Sequence, residues 1–212
     1  MIRVFLLDDH SLVRTGFRLI VGDQPDMQVI GEASCAEDGL PLIRNLKPDV
    51  LVCDLHLPGV SGLQVTERVA QWDQGTRVII VSVQEDGPMP RKLLEAGACG
   101  YLGKGGEAHE LLRAIREVAA GRRYLAPTVA QMLALGTLDG SVSPFERLSP
   151  RELEVAMLLC QGRRMEEIAQ HLKLSAKTVS THKYRAFDKL RIHDVVALSR
   201  LAAQYGLTEA IG

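Results

Sequence analysis

The chain has 212 residues, 46% of them hydrophobic and 24% charged, with a formal net charge of −1. That is the composition of a globular protein able to bury a sizeable core in one or two domains. No apolar run approaches the ~20 residues of a membrane span. Met1-Ile-Arg leads straight into a strand-like run without a signal-peptide pattern, so a cytoplasmic location is expected.

The small net charge hides an asymmetry. From Glu146 onward 11 Lys and Arg stand against 8 Asp and Glu, whereas the preceding residues carry 14 against 18. Two domains of opposite charge explain this better than one mixed domain. The four cysteines, Cys35, Cys53, Cys99 and Cys160, are scattered without a C-x-x-C pair. They read as reduced core residues, and their spacing gives no zinc motif.

In chain order, the first part alternates strand and helix. Strands are expected at 2–7, 28–33, 50–53, 77–83 and 99–102, and helices at 12–21, 36–46, 61–71, 88–96 and 107–120. Ser11 precedes the first helix, Ser34 or Ala36 opens the second, and Gly97 follows the fourth. Leu111, Leu112, Ile115 and Val118 give a one-sided apolar stripe at helical spacing. Five βα units with continuous apolar strands argue for a parallel sheet covered on both faces. Gly121–Pro127 closes this unit, a short helix fits 128–135, and the Gly-, Ser- and Pro-rich run from Gly136 to Pro144 reads as a flexible tether. From Leu148 the pattern is helical only. Ser149-Pro-Arg-Glu152 has the form of a capping box with Pro at the first helical position. Further helices are expected at 165–172, 176–190 and 194–205.

The chemistry gathers at strand ends. Val50-Leu-Val-Cys-Asp54 is a buried strand ending in a carboxylate, and Ile2–Leu7 ends likewise in Asp8-Asp9. One such strand would be explained by Asp as terminator and cap; two suggest an acidic pocket. Asp8, Asp9 and Asp54 offer only hard oxygen ligands, which suits Mg²⁺. A magnesium ion among carboxylates serves phosphate chemistry, and a carboxylate can itself accept a phosphoryl group. Ser82 ends the fourth strand and Lys104 follows the fifth, supplying a hydroxyl and a fixed cation. Taken singly these two are a strand terminator and a surface charge; together with the carboxylates they occupy the ends of four buried strands.

Residues 1–120 resemble the receiver domain of two-component response regulators. The resemblance lies in Asp8-Asp9-His10, Asp54-Leu-His-Leu-Pro-Gly59, Ser82 and Ala96-Gly-Ala-Cys-Gly-Tyr-Leu-Gly-Lys104, in order and at fitting spacing. It implies a flavodoxin-like five-stranded sheet of order 2-1-3-4-5. It further implies that Asp54 is the phosphoacceptor. Asp9, Asp54 and the backbone carbonyl of His56 would hold Mg²⁺, with Asp8 acting through water. Lys104 would pair with the phosphoryl group, Ser82 would donate to it, and Tyr101 would swing inward as Ser82 moves. The chain departs from the pattern at Gly105-Gly106, where Pro often follows the lysine, and at Val83, which is bulky. His10 is expected to be a loop or cap residue and the His56 imidazole to have no ligand role.

In the second part, helix 165–172, the turn Lys173-Leu-Ser175 and helix 176–190 make a helix-turn-helix. Between 173 and 191 stand Lys173, Lys177, Lys183, Arg185, Lys189 and Arg191 against Asp188 alone, as a duplex major groove accepts. The bland alternative is a solvated basic face. The region resembles the LuxR-type DNA-binding domain in Leu148-Ser-Pro-Arg-Glu-Leu-Glu, Gly162, Glu167-Ile-Ala, Leu174-Ser, Thr178-Val-Ser-Thr-His182 and Lys189-Leu190. Receiver and LuxR-type domain together define the NarL/FixJ class, within which Ser143-Pro-Phe145 and Arg123-Tyr-Leu look most like the GacA/UvrY global activators. The resemblance implies DNA contacts among Lys177, Thr178, Ser180, Thr181, Lys183, Tyr184, Arg185 and Lys189. Ser180, Thr181 and Tyr184 would face bases, and Lys177, Lys183 and Arg185 phosphates. The last helix would carry a DNA-bound dimer contact, with Val196, Arg200 and Ala203 as candidates.

The expected organisation is a receiver at 1–120, a linker at 121–145 and an all-α, four-helix DNA-binding domain at 146–212. The expected function is phosphorylation-switched transcription regulation. Its partners would be a sensor histidine kinase or phosphotransfer domain, promoter DNA and a second copy of the chain, with no membrane. A Mg²⁺-dependent phosphatase is disfavoured because Leu55-His56, rather than a second acid/base carboxylate, follows Asp54. An interaction protein with an unused acidic pocket is the remaining alternative.

Overall fold

The computed structural model describes residues 1–72, 74–83, 89–138, 143–205 and 207. It divides into two compact units, one built on residues 1–85 and 93–133, the other on 86–92 and 134–212. Among the described residues no helix is long and apolar enough to cross a membrane.

The first unit is a parallel sheet of β1 (Ile2–Leu7), β2 (Met27–Ala33), β3 (Val50–Asp54), β4 (Arg77–Ser82), β5 (Gly100–Gly103) and β6 (Tyr124–Leu125), ordered β2-β1-β3-β4-β5-β6. Every residue of β3 is buried, which is why its sequence is continuously apolar instead of alternating. The helices of this unit are α1 (Ser11–Gly22), α2 (Ala36–Leu46), α3 (Gly62–Gln71) and α5 (Ala108–Ala119), and α4 (Met89–Glu95) falls across the division between the units. The α1 and α5 helices pack on one another, and α2 and α3 line a common groove. The expected order 2-1-3-4-5 is present, with a sixth strand added. Tyr124 and Leu125 pair with Gly100 and Tyr101, covering the edge of β5.

Helix starts shift slightly from expectation. Ala36, one of the two openings expected, is the first residue of α2 with Cys35 as its N-cap, whereas Ser11 lies inside α1 as its first residue, with His10 as N-cap. Residue 88, expected at the start of α4, lies outside the described residues. Cys53 and Cys160 are buried, but Cys35 and Cys99 are only half-buried, so the expectation of four core cysteines holds for two.

The expected linker 121–145 contains β6 and the helix α6 (Pro127–Leu138), where a short helix over 128–135 was expected. The helix runs further than the sequence suggested because Gly136 does not break it; residues 139–142 of the proposed tether lie outside the described residues. The second unit holds a 3-10 turn at Pro144–Arg147, then α7 (Pro150–Cys160), α8 (Met165–His171), α9 (Ala176–Leu190) and α10 (Val195–Gln204). Its core gathers Phe145, Leu153, Ala156, Ile168, Val179 and Leu198, all 0–1% exposed. The Ser149/Glu152 capping box is formed in both directions.

Candidate functional site

Sheet register brings the acidic residues together. Leu7 pairs with Cys53 across β1 and β3, so Asp8 and Asp54 follow side by side at neighbouring strand ends. Both are almost wholly buried, at 3% and 2% exposure. Asp9 extends the group, and one ligand atom each of Asp8, Asp9, His10 and Asp54 falls within a 4.8 Å cluster.

Lys104 comes from further along the sheet. Gly103 pairs with Ser82, and the Lys104 N–H donates to the Ser82 carbonyl at 2.7 Å. With β4 between them, β3 and β5 lie about 10 Å apart, a gap that a lysine side chain can bridge. Its Nζ stands 2.8 Å from Asp54 Oδ2 and 2.9 Å from Asp8 Oδ2. Burial works against the ammonium, but the Asp54 and Asp8 carboxylates outweigh it and raise the lysine pKa. Neither oxygen receives a well-directed hydrogen bond, so the contact is one of charge.

Three carboxylates against one ammonium leave two formal negative charges, the complement of a divalent cation. The donors are hard oxygens, and three of the oxygens, Asp8 Oδ2, Asp9 Oδ1 and Asp54 Oδ2, are buried without a directed hydrogen bond. This set fits Mg²⁺, which takes one or two carboxylates and keeps several waters. Beneath it, burial followed by the charges of Asp54 and Asp8 pushes the Cys53 thiol well up, leaving it protonated and unreactive.

The remaining expected residues fall around this group. The His56 N–H turns back to Asp54 Oδ1 at 3.2 Å. Ser82 is fully buried at the end of β4, and Tyr101 is already fully buried in β5, in the inward position the sequence reading reserved for a switched state.

Three residues absent from the expected site also shape it. Arg14 Nη1 donates to the Asp8 carbonyl at 2.6 Å. At Gly62 a Cβ would lie 2.3 Å from the Asp54 carbonyl oxygen, so only glycine lets α3 start this close to the strand end. His10 holds the N-cap position of α1 but makes no side-chain cap bond. Its Nδ1 lies 2.6 Å from Asp9 Oδ1 and 3.4 Å from Asp8 Oδ1. The Asp8-Asp9-His10 run marked His10 only weakly, and no sequence signal marked Arg14 or Gly62.

In the second unit, α8 ends in a tight reversal. Lys173 takes a left-handed φ of 49°, and the Leu174 N–H returns to the Ala169 carbonyl. Ser175 then caps α9 through the Thr178 N–H. Val179, Ala186, Phe187 and Leu190 face inward, which by helical spacing turns Lys177, Thr181, Tyr184 and Arg185 outward and leaves Ser180 half-buried on the flank. Tyr184 is 66% exposed.

The other expected contacts are less free. The Thr178 hydroxyl is 2.8 Å from the Ser175 hydroxyl, and Thr181 Oγ1 donates to the Lys177 carbonyl. Lys183 lies on the flank, its Nζ over the rings of Phe187 and Tyr184. The Lys189 ammonium pairs with the nearly buried Glu152 at 2.6 Å. Burial tends to raise the Glu152 pKa, but Lys189 and the Ser149 cap lower it overall.

Comparison with known proteins matches a known domain in each part of the chain. Residues 4–116 match the response regulator receiver domain and residues 146–202 the bacterial regulatory proteins of the luxR family. The chain is 42% identical to the response regulator GacA of Pseudomonas aeruginosa over 99% of both chains. It is also 42% identical to UvrY of Escherichia coli K12, over 99% of this chain and 97% of that one. The solved complex of the two-component response regulator RcsB with DNA aligns at a TM-score of 0.61 and 25% identity, over 95% of this chain and 98% of that one.

Proposed function

The chain belongs to the two-component response regulators that join a receiver domain to a LuxR-type DNA-binding domain, and we propose that phosphorylation of Asp54 switches its binding to promoter DNA. As in its relatives, the role is regulatory and not enzymatic. The observation that carries the proposal is the Asp54 carboxylate at the end of β3, buried beside Lys104, with Asp8 and Asp9 adjacent.

In this reading an Asp54 oxygen attacks the phosphorus of a phosphohistidine on a sensor kinase or phosphotransfer domain. The P–N bond breaks and an acyl phosphate forms. Mg²⁺, held by Asp9, Asp54 and the His56 carbonyl with Asp8 through water, would neutralise charge on the transferring group. Lys104 moves its charge from the carboxylates to the phosphoryl oxygens, and Ser82 donates a hydrogen bond to them. Tyr101, next to this strand end, adjusts its packing with Ser82.

The receiver occupies 1–120, extended by β6, with a linker over the rest of 121–145 and the DNA-binding domain at 146–212. On α9, Ser180, Thr181 and Tyr184 read bases, while Lys177, Lys183 and Arg185 hold phosphates. Thr178 supports the helix start, and Lys189 braces α9 through Glu152 while lying near the backbone. The protein acts in the cytoplasm, as a homodimer when phosphorylated or DNA-bound, with Val196, Arg200 and Ala203 of α10 as dimer contacts. Val196 is 61% exposed, which suits it to such a contact.

The test is selection from a random duplex pool by the full chain, with and without acetyl phosphate and Mg²⁺. A sequence enriched more strongly with the phosphodonor, and equally in both conditions for Asp54→Asn, supports the reading. Enrichment of no sequence, or an equal response of Asp54→Asn to the donor, contradicts it.

A further inference from the structure

We propose that the groove between α2 and α3 binds a purine nucleoside monophosphate, at a site separate from the acidic pocket and independent of phosphorylation at Asp54. Pro41, Arg44 and Asn45 of α2 line it together with Arg68 of α3, its C-cap Trp72 and Gln74 beyond. Gly62 starts α3 against the Asp54 carbonyl. Trp72 caps the other end, about 15 Å further along the helix.

The lining matches the parts of a nucleotide. The groove holds about 690 Å³, within the ~300–1,000 Å³ of small-ligand sites. Trp72 is half-buried, and its ring with that of Pro41 gives flat apolar surface on which a base can stack, a purine over the larger area. Arg44 and Arg68 are exposed, and among the described residues neither has an ion pair or a hydrogen bond. The Arg44 guanidinium lies over the Trp72 ring, 5.8 Å from its centroid. That is close to the ~6 Å limit of such contacts, so a stacking base can displace it toward the phosphate. Two guanidiniums from different helices then match the nearly two negative charges of a phosphate monoester at neutral pH. Asn45 and Gln74 each offer an amide donor and acceptor, the pairing that a base edge takes.

The competing explanation is helix electrostatics. Arg44 and Arg68 each sit in the last turn of their helix, where a cation complements the carbonyl ends. That accounts for the charges but not for an indole ring and two amides converging on the same groove. It also predicts no saturable ligand.

Trp72 is the one tryptophan of the chain, so its fluorescence reports on the groove directly. The experiment titrates the full chain with AMP and with GMP in EDTA, which removes any metal bridge to the acidic pocket. At least one nucleotide should quench the fluorescence and saturate below about 1 mM. Arg44→Gln and Arg68→Gln, both at the surface, should each weaken binding about tenfold. Trp72→Ala, read by calorimetry, should lose a similar factor of about ten. No saturable quenching by either nucleotide overturns the proposal. Competition as strong from inorganic phosphate or from the free nucleoside overturns it too, and so does binding that survives both arginine replacements. Quenching by a tetraglutamate peptide and by neither nucleotide also overturns it, and assigns the groove to an acidic protein partner instead.

Discussion

Lys104 and Asp54 meet at 2.8 Å although their strands are not neighbours, because the lysine reaches across the intervening β4 to the end of β3. The same ammonium lies 2.9 Å from Asp8. One cation therefore keeps two buried carboxylates from repelling each other, and it is placed where a phosphoryl group on Asp54 would come to lie.

Removing that cation should destabilise the receiver. Lys104→Met leaves two buried carboxylates uncompensated, at a cost of about 3 kcal/mol in urea unfolding. Millimolar Mg²⁺ should restore part of the loss by binding the folded state. Because the lysine pKa is raised above its ordinary 10.5, the wild-type contribution is fully present below that pH. It is lost as pH rises through the folded-state value.

Gly62→Ala tests the close approach of α3. The added methyl would lie 2.3 Å from the Asp54 carbonyl oxygen and 2.8 Å from Leu55 Cα, backbone atoms that cannot step aside alone. A loss of about 1–3 kcal/mol is expected, together with slower phosphoryl transfer as the acceptor shifts. Gly16→Ala is the control. It meets nothing within 4 Å in α1 and should stabilise by roughly 0.5–1 kcal/mol.

His182 on α9 should make the second unit acid-sensitive. Its Nδ1 is buried without a hydrogen-bond partner. Burial, then the charge of Arg151, lowers its pKa below the ordinary 6.5, Arg185 adds to this, and Glu152 partly opposes it. The unfolded chain therefore takes up the proton first. The stability due to the neutral imidazole is present above about pH 6.5 and lost as pH falls through the folded-state value. Thermal unfolding at pH 7.5 and 5.5 should show a larger acid-induced drop for wild type than for His182→Gln.

On α9 the outward residues should separate positioning from reading. Lys177→Ala and Arg185→Ala should weaken binding to selected and scrambled duplex alike, each flattening the log–log salt dependence by about one unit. Thr181→Ala or Tyr184→Ala should change base preference, by roughly 1–3 kcal/mol where a base contact is lost. Lys183→Ala should combine a phosphate loss with a small stability loss, since Lys183 packs over Phe187. Sequence preference that follows Lys177 and Arg185 would mean the reading face is misassigned.

Much of this was legible in the sequence because buried parallel strands are continuous apolar runs and their ends are fixed by the residues that break them. Asp8, Asp54, Ser82 and Lys104 could be placed at strand ends from that pattern alone. The two-residue β6 could not, since Tyr124-Leu125 is too short to show a period and is specified by the free edge of β5. The direction of His10, the closeness of Gly62 to Asp54 and the Lys189–Glu152 pair were equally hidden. Each is set by contacts between separate elements, in the last case 37 residues apart. Lys183 illustrates a finer limit. The sequence counts it among the basic residues of α9, but the helical turn places it beside Phe187 on the flank.

The most direct test of the central claim is the intact mass of the full chain after incubation with acetyl phosphate and Mg²⁺, followed by peptide mapping. The account predicts one added phosphoryl group, located on Asp54, absent from Asp54→Asn and strongly reduced in Asp9→Ala. A phosphoryl group that persists in Asp54→Asn, or a chain that never gains mass, would contradict it.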